Sequence, residues 1–187
     1  MTPRALARTF APALVLAALG TAAPALGQDD DVRAQLIAIN ASLEGVWEGQ
    51  VVRLDPETGA ANIYEDVIAL TVSGDDPADF SYERAGQRVA YDHLGEGVHH
   101  VRAWRGDALI AEAEVRFEDV EGPNAAGGWS HVELFTLAGA DGAAVDHRNE
   151  YAFENGVWSS TSFESRAGED EFVLVGSASY SKREELF

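Results

Sequence analysis

From Glu44 onward, apolar and polar residues alternate with a period of two, and turn-forming residues interrupt the alternation at short intervals. That period places successive side chains on opposite faces of an extended strand. The pattern predicts ten strands, near 45–53, 62–73, 79–84, 87–93, 97–104, 108–119, 128–138, 145–154, 157–165 and 171–183. Connections such as Ala85-Gly86, Arg105-Gly106-Asp107 and Asn155-Gly156 are short, and an Asn-Gly pair tolerates the positive φ that a tight hairpin requires. Ahead of the strands, Val32, Leu36, Ile37 and Ile39 supply an apolar helical stripe ending near Asn40. The acidic Gln28-Asp29-Asp30-Asp31 linker before them suits a helix start. Sequential strands with short connections favour an all-β fold, an antiparallel up-and-down barrel of about ten strands with a short N-terminal helix. A β-sandwich is the second arrangement compatible with the pattern.

The residues before Gln28 follow a different pattern. Arg4 and Arg8 form a basic start, Phe10 to Ala23 is apolar but broken by Pro12, and Ala25-Leu26-Gly27 places small residues before Gln28. This is the pattern of a secretory signal peptide, and the stretch is short for a membrane span. The expected organisation is a signal peptide over 1–27, an acidic linker and short helix over 28–43, and a barrel domain over 44–187. Such a protein is exported, to the periplasm or the exterior of a bacterium.

Composition narrows the partners. The formal charge of −19 becomes −21 once the two leader arginines are set aside, leaving 11 basic and 32 acidic side chains. A chain of that charge repels phosphate backbones and anionic lipid, so neither nucleic acid nor membrane insertion is expected. With no cysteine there is no disulfide framework, thiolate nucleophile or iron–sulfur ligand set. The oligomeric state is left open.

Two strands carry the functional reading. On 108–119, Leu109, Ala111, Ala113, Val115 and Phe117 share one face, and Ile110, Glu112, Glu114, Arg116 and Glu118 share the wet one. On 145–154 the inner face is Val145, His147, Asn149, Tyr151 and Phe153. Three hydrogen-bonding side chains among apolar ones need each other, water or a ligand as partners. The small Ala111 and Ala113 are expected to leave volume unfilled, so a ligand cavity is expected. Trp104, Trp129, Tyr151 and Phe153 would supply its apolar area, while His147 and Asn149 orient the ligand.

The histidines His93, His99, His100, His131 and His147 show no metal-ligand spacing, and adjacent His99 and His100 point to opposite faces of a strand. No metal, cofactor or catalytic residue is nominated. Gly45-Val46-Trp47, just after the helix, resembles the G-x-W signature of the calycin superfamily (lipocalins, fatty-acid-binding proteins and relatives). Trp47-Glu48-Gly49, with a late Trp158 strand and a closing Tyr180 strand, is also similar to uncharacterised bacterial lipocalin-like domains. The resemblance implies that Gly45 and Trp47 close one barrel end beneath a basic residue of the last strand, Arg183 or Lys182. It implies an exported protein binding a small apolar or aromatic ligand inside the barrel. The alternatives are a ten-stranded outer-membrane barrel, a haem-binding nitrobindin-like domain, or a barrel enzyme of isomerase, cyclase or lyase type using His147 with a carboxylate.

Overall fold

The computed structural model describes residues 28–55, 58–139, 142–166, 169 and 171–184. The expected leader over 1–27 and the last three residues of the barrel domain lie outside them. The helix α1 (Gln28–Leu43) leads into β1 (Gly45–Leu54), β2 (Ala61–Val72), β3 (Phe80–Arg84), β4 (Gln87–Gly95) and β5 (Val98–Arg105). The chain continues through β6 (Ala108–Glu121), β7 (Trp129–Ala138), β8 (Ala144–Glu154), β9 (Val157–Arg166) and β10 (Val173–Lys182). Each strand pairs antiparallel with its successor, and β10 pairs with β1 to close the barrel. The expected all-β up-and-down barrel of ten strands is therefore the observed fold. Strict alternation makes it so, because a one-residue slip would turn every apolar side chain outward. Asn155 and Gly156 both take positive φ (53° and 80°), the geometry of the two-residue hairpin they predict.

The helix runs three residues beyond the expected end near Asn40, and its buried stripe is Leu36, Ile39, Asn40 and Leu43. Asn40 gives the reason for the extra turn. Its amide donates to the carbonyls of Pro77 and Ala78 (3.3 and 3.1 Å), tying the helix across the β2–β3 connection. A surface ion pair between Arg33 and Asp76 (2.7 Å) adds to the same junction.

This helix covers the end of the barrel where β1 begins. Trp47, 1% exposed, fills the space beneath it. Its indole Nε1 donates to the Leu43 carbonyl at 2.6 Å, satisfying one of the acceptors that a helix C-terminus leaves without an intrahelical partner. The Trp129 indole donates to Ser42 Oγ at 2.9 Å in the same way. Phe153 and Trp158 meet the Trp47 ring edge-on, at centroid distances of 6.0 and 5.8 Å.

The basic residue over Trp47 is Lys182, not Arg183. Lys182 shares the rung of Trp47 and holds its ammonium 5.6 Å from the ring centroid. Arg183 lies one residue beyond the strand and reaches outward to Glu48 at 3.1 Å. Gly45, at φ +125°, allows the Lys182 stem to pass, since a Cβ there would lie 2.9 Å from Cε.

Replacing Trp47 with Ala removes this plug and both its ring contacts, so W47A should lose about 3–5 kcal/mol in urea unfolding. A loss below about 1 kcal/mol would contradict the plug.

Candidate functional site

The inner wall is built from rungs, pairs of residues facing each other across neighbouring strands. Between β7 and β8 the inward rungs run from the covered end as Trp129/Phe153, His131/Tyr151, Glu133/Asn149, Phe135/His147 and Leu137/Val145. Ring pairs on three of them stack, with centroid distances of 5.9, 4.9 and 4.8 Å. One rung in the middle of this aromatic ladder is polar. Glu133 is buried at 4% exposure, and its Oε1 lies 3.6 Å from His131 Nε2.

On the adjoining strands β9 and β10 the rungs are small. Ser160 faces Ala178 and Ser162 faces Gly176 between β9 and β10. Large rings on one wall and small residues on the other leave a cavity of about 320 Å³, reaching from Ile39 and Leu43 at the helix to Arg53 and Leu137 near the far rim. The volume thus comes from the alternating Ser, Gly and Ala positions of β9 and β10. Ala111 and Ala113 do face inward, opposite Ala103 and Val101, but they are not on the cavity wall.

A second polar group sits on the β1–β2–β10 side. Asp66, 7% exposed, accepts a hydrogen bond from the Tyr180 hydroxyl at 2.7 Å and pairs with Arg84 Nε at 2.6 Å. Tyr180 and Asp66 flank Gly49 on the two neighbouring strands. The phenol reaches Asp66 only by crossing over Gly49, where a Cβ would meet the Tyr180 ring at 2.6 Å and the Ser179 carbonyl at 2.0 Å. The glycine is thus required by the pair it lies between.

Burial sets the protonation of the wall. Desolvation pushes the Tyr82 phenol up to about 12, helped by the neighbouring Glu133 charge. Tyr91 and Tyr151 are raised well above the ordinary phenol value, first by burial and then by the nearby Glu133 carboxylate. These phenols are neutral donors at any physiological pH. Desolvation also lowers His147 and outweighs the carboxylate of Glu164, 3.5 Å from its Nδ1.

Of the residues expected to bind ligand, His147, Asn149 and Tyr151 stand together on the cavity wall. Phe153 and Trp129 face inward but belong to the plug under the helix, away from the cavity. Trp104 is outside the barrel altogether. It shares the outward rung of Arg88, and the guanidinium carbons of Arg88 and Arg102 lie 4.5 and 5.4 Å from its ring centroid. Two cations cover a ring that burial would otherwise have to shelter. The opposed directions of His99 and His100 are observed: His99 is fully buried, whereas His100 points outward, 3.7 Å from Glu112. Among the described residues no group of three His, Asp or Glu side chains is placed to hold a metal ion.

Glu133, Asp66, Arg84 and Tyr180 are absent from the sequence-derived set. For Glu133 and Asp66 the sequence offers only a weaker form of the signal that finds His147 and Asn149, a single carboxylate on a strand face shared with Trp129, His131 and Phe135 or with Tyr64, Ile68 and Leu70.

His99 makes one consequence measurable. Its Nε2 donates to the Ala78 carbonyl at 3.2 Å, and burial takes the imidazole from 6.5 down to about 4. The unfolded chain therefore binds this proton more readily between those two values. Stability is complete above about pH 6.5 and falls by up to about 3 kcal/mol as pH drops toward 4. Urea unfolding across that range should give a flatter profile for His99→Gln than for the natural chain. Parallel profiles would contradict a neutral buried His99. Compared with known proteins, the chain matches no family model and no curated protein, so the chemistry of its interior is the guide to its function.

Proposed function

We propose that the protein is an exported, calycin-like binding protein whose barrel interior takes a small aromatic molecule carrying polar groups. The observation that carries this reading is the cavity of about 320 Å³, walled by stacked rings and interrupted by one polar rung, Glu133/Asn149. Small-molecule sites are typically concave and mainly apolar, with a few convergent polar groups that fix orientation. This interior has that make-up, and its volume suits a ligand of one or two rings. Of the apolar or aromatic ligands expected, a purely apolar one would leave Glu133, Asn149 and His147 facing hydrocarbon, which is costly for buried polar groups.

The outer wall favours an aqueous setting over the membrane-barrel alternative. Glu112, Glu114, Arg116 and Glu118 are exposed along one outward face, and Arg148 pairs with Glu150 at 2.8 Å on another. A lipid-facing wall would carry an apolar band at those heights. Export rests on the leader pattern and the cysteine-free composition. The His147–Glu164 pair gives a second reading, a barrel enzyme with a positioned base, one observation to its credit.

Titrating N-phenyl-1-naphthylamine, an uncharged probe, should give saturable one-to-one binding with quenching of tryptophan emission. Ser162→Phe, which fills the cavity from β9, should abolish binding while the far-ultraviolet circular dichroism is kept. Trp104→Ala, outside the barrel, should bind as the natural chain does. No saturable binding, or loss in the Trp104 variant alone, contradicts the reading. Export predicts that protein recovered from the periplasm of a bacterial host begins at Gln28 by intact mass; an uncleaved leader contradicts it.

A further inference from the structure

The two buried carboxylates of the interior differ in one respect. Asp66 has a permanent cation, the Arg84 guanidinium at 2.6 Å, together with the Tyr180 hydroxyl. Glu133 has no Lys or Arg partner among the described residues, and its neighbours are the Tyr91 and Tyr151 phenols and His131. A buried carboxylate with no permanent cation beside it is an attractive site for positive charge, because the surrounding dielectric is low.

The neighbouring histidine points the same way. His131 is 6% exposed and lies on the cavity wall, with Nε2 directed at Glu133 at 3.6 Å and Nδ1 without a hydrogen-bond partner among the described residues. With the proton on Nε2, facing the carboxylate, Nδ1 is a lone-pair acceptor. The deep wall therefore offers a carboxylate and an imidazole nitrogen as acceptors. Around them Tyr82, Tyr91 and Tyr151 line the cavity with aromatic surface, which is compatible with an organic cation. Among the described residues the remaining Lys or Arg on the cavity wall besides Arg84 is Arg53, exposed near the rim and far along β1 from the Trp47 plug.

We infer that the interior selects a small organic cation, an arylalkyl ammonium whose charged end sits against Glu133 and His131 and whose ring lies among the tyrosines. The inference rests on the binding reading above and names the ligand class of that same site. The charge it adds is the one the Glu133 side of the cavity lacks and the Asp66 side already has.

The test compares three ligands of one shape by isothermal titration calorimetry at pH 7.5: 2-phenylethylamine, 2-phenylethanol and phenylacetate. The amine should bind about tenfold or more tighter than the alcohol, and phenylacetate most weakly. Glu133→Gln should reduce the amine to about the affinity of the alcohol, with an unchanged far-ultraviolet circular dichroism spectrum reporting that the variant is folded. If that variant does not fold, the ranking of the three ligands on the natural chain decides. Equal or tighter binding of the alcohol or of phenylacetate overturns the inference, as does an amine affinity unmoved in a folded Glu133→Gln protein. If N-phenyl-1-naphthylamine binds and the amine is not preferred, the inference fails alone. If neither that probe nor any of the three ligands binds, the binding reading fails with it.

Discussion

Closing a sheet of ten antiparallel strands encloses more space than inward side chains can fill, and the rest of this structure is a division of that space. Eight strands are about the number at which side chains alone can pack a barrel shut. Here the surplus is handled differently along the axis. At the helix-covered end the largest rings are concentrated, Trp47, Trp129, Phe153 and Trp158, and α1 is fastened over them by two indole hydrogen bonds to its last turn. Nearer the open end the chain places Ser160, Ser162, Gly176 and Ala178 beside the aromatic β7–β8 wall, and the space is left as a cavity.

A cavity in an otherwise dense interior costs stability, and the polar layer around it limits that cost by holding its walls in place. Tyr180 spans Gly49 to reach Asp66, and Arg84 meets Asp66 from β3, so four successive strands, β10 through β3, are tied by one buried group. On the other wall three phenols and an imidazole gather around Glu133. A buried charge pair broken on one side costs several kcal/mol, roughly 3–5, so such layers resist rearrangement. In the proposed ligand site, the low dielectric around this layer is what would make its carboxylate selective toward charge.

Much of the fold is legible in the chain because the alternation is strict and the turns are marked, and all ten observed strands begin and end within about two residues of the expected positions. The site is legible only in part. His147, Asn149 and Tyr151 stand out because three polar residues share a face with Val145 and Phe153. Glu133 and Asp66 are single carboxylates on mostly apolar or aromatic faces, and in a chain with 32 acids a lone one carries little signal without its cross-barrel partners. Trp104 misleads because aromatic bulk suggests burial, whereas its position in the alternation, with His100 and Arg102, puts it outside. The cavity volume is misattributed to Ala111 and Ala113 because which small residues face the void depends on register between β9 and β10, a long-range property. Lys182 and Arg183 are adjacent, and only the rung with Trp47 distinguishes them.

The central claim is that recognition happens inside the barrel, against the aromatic wall, and the four indoles of the chain are placed to report it. Trp158 lines the cavity with an Nε1 that has no hydrogen-bond partner among the described residues, Trp47 and Trp129 are held by the helix, and Trp104 lies outside between two guanidinium groups. The most direct measurement is the ¹⁵N–¹H spectrum of these indoles during titration with 2-phenylethylamine. The account predicts a saturable shift of the Trp158 resonance while Trp104 stays in place. A Trp104 resonance that moves while Trp158 does not would place binding on the outer surface and contradict it.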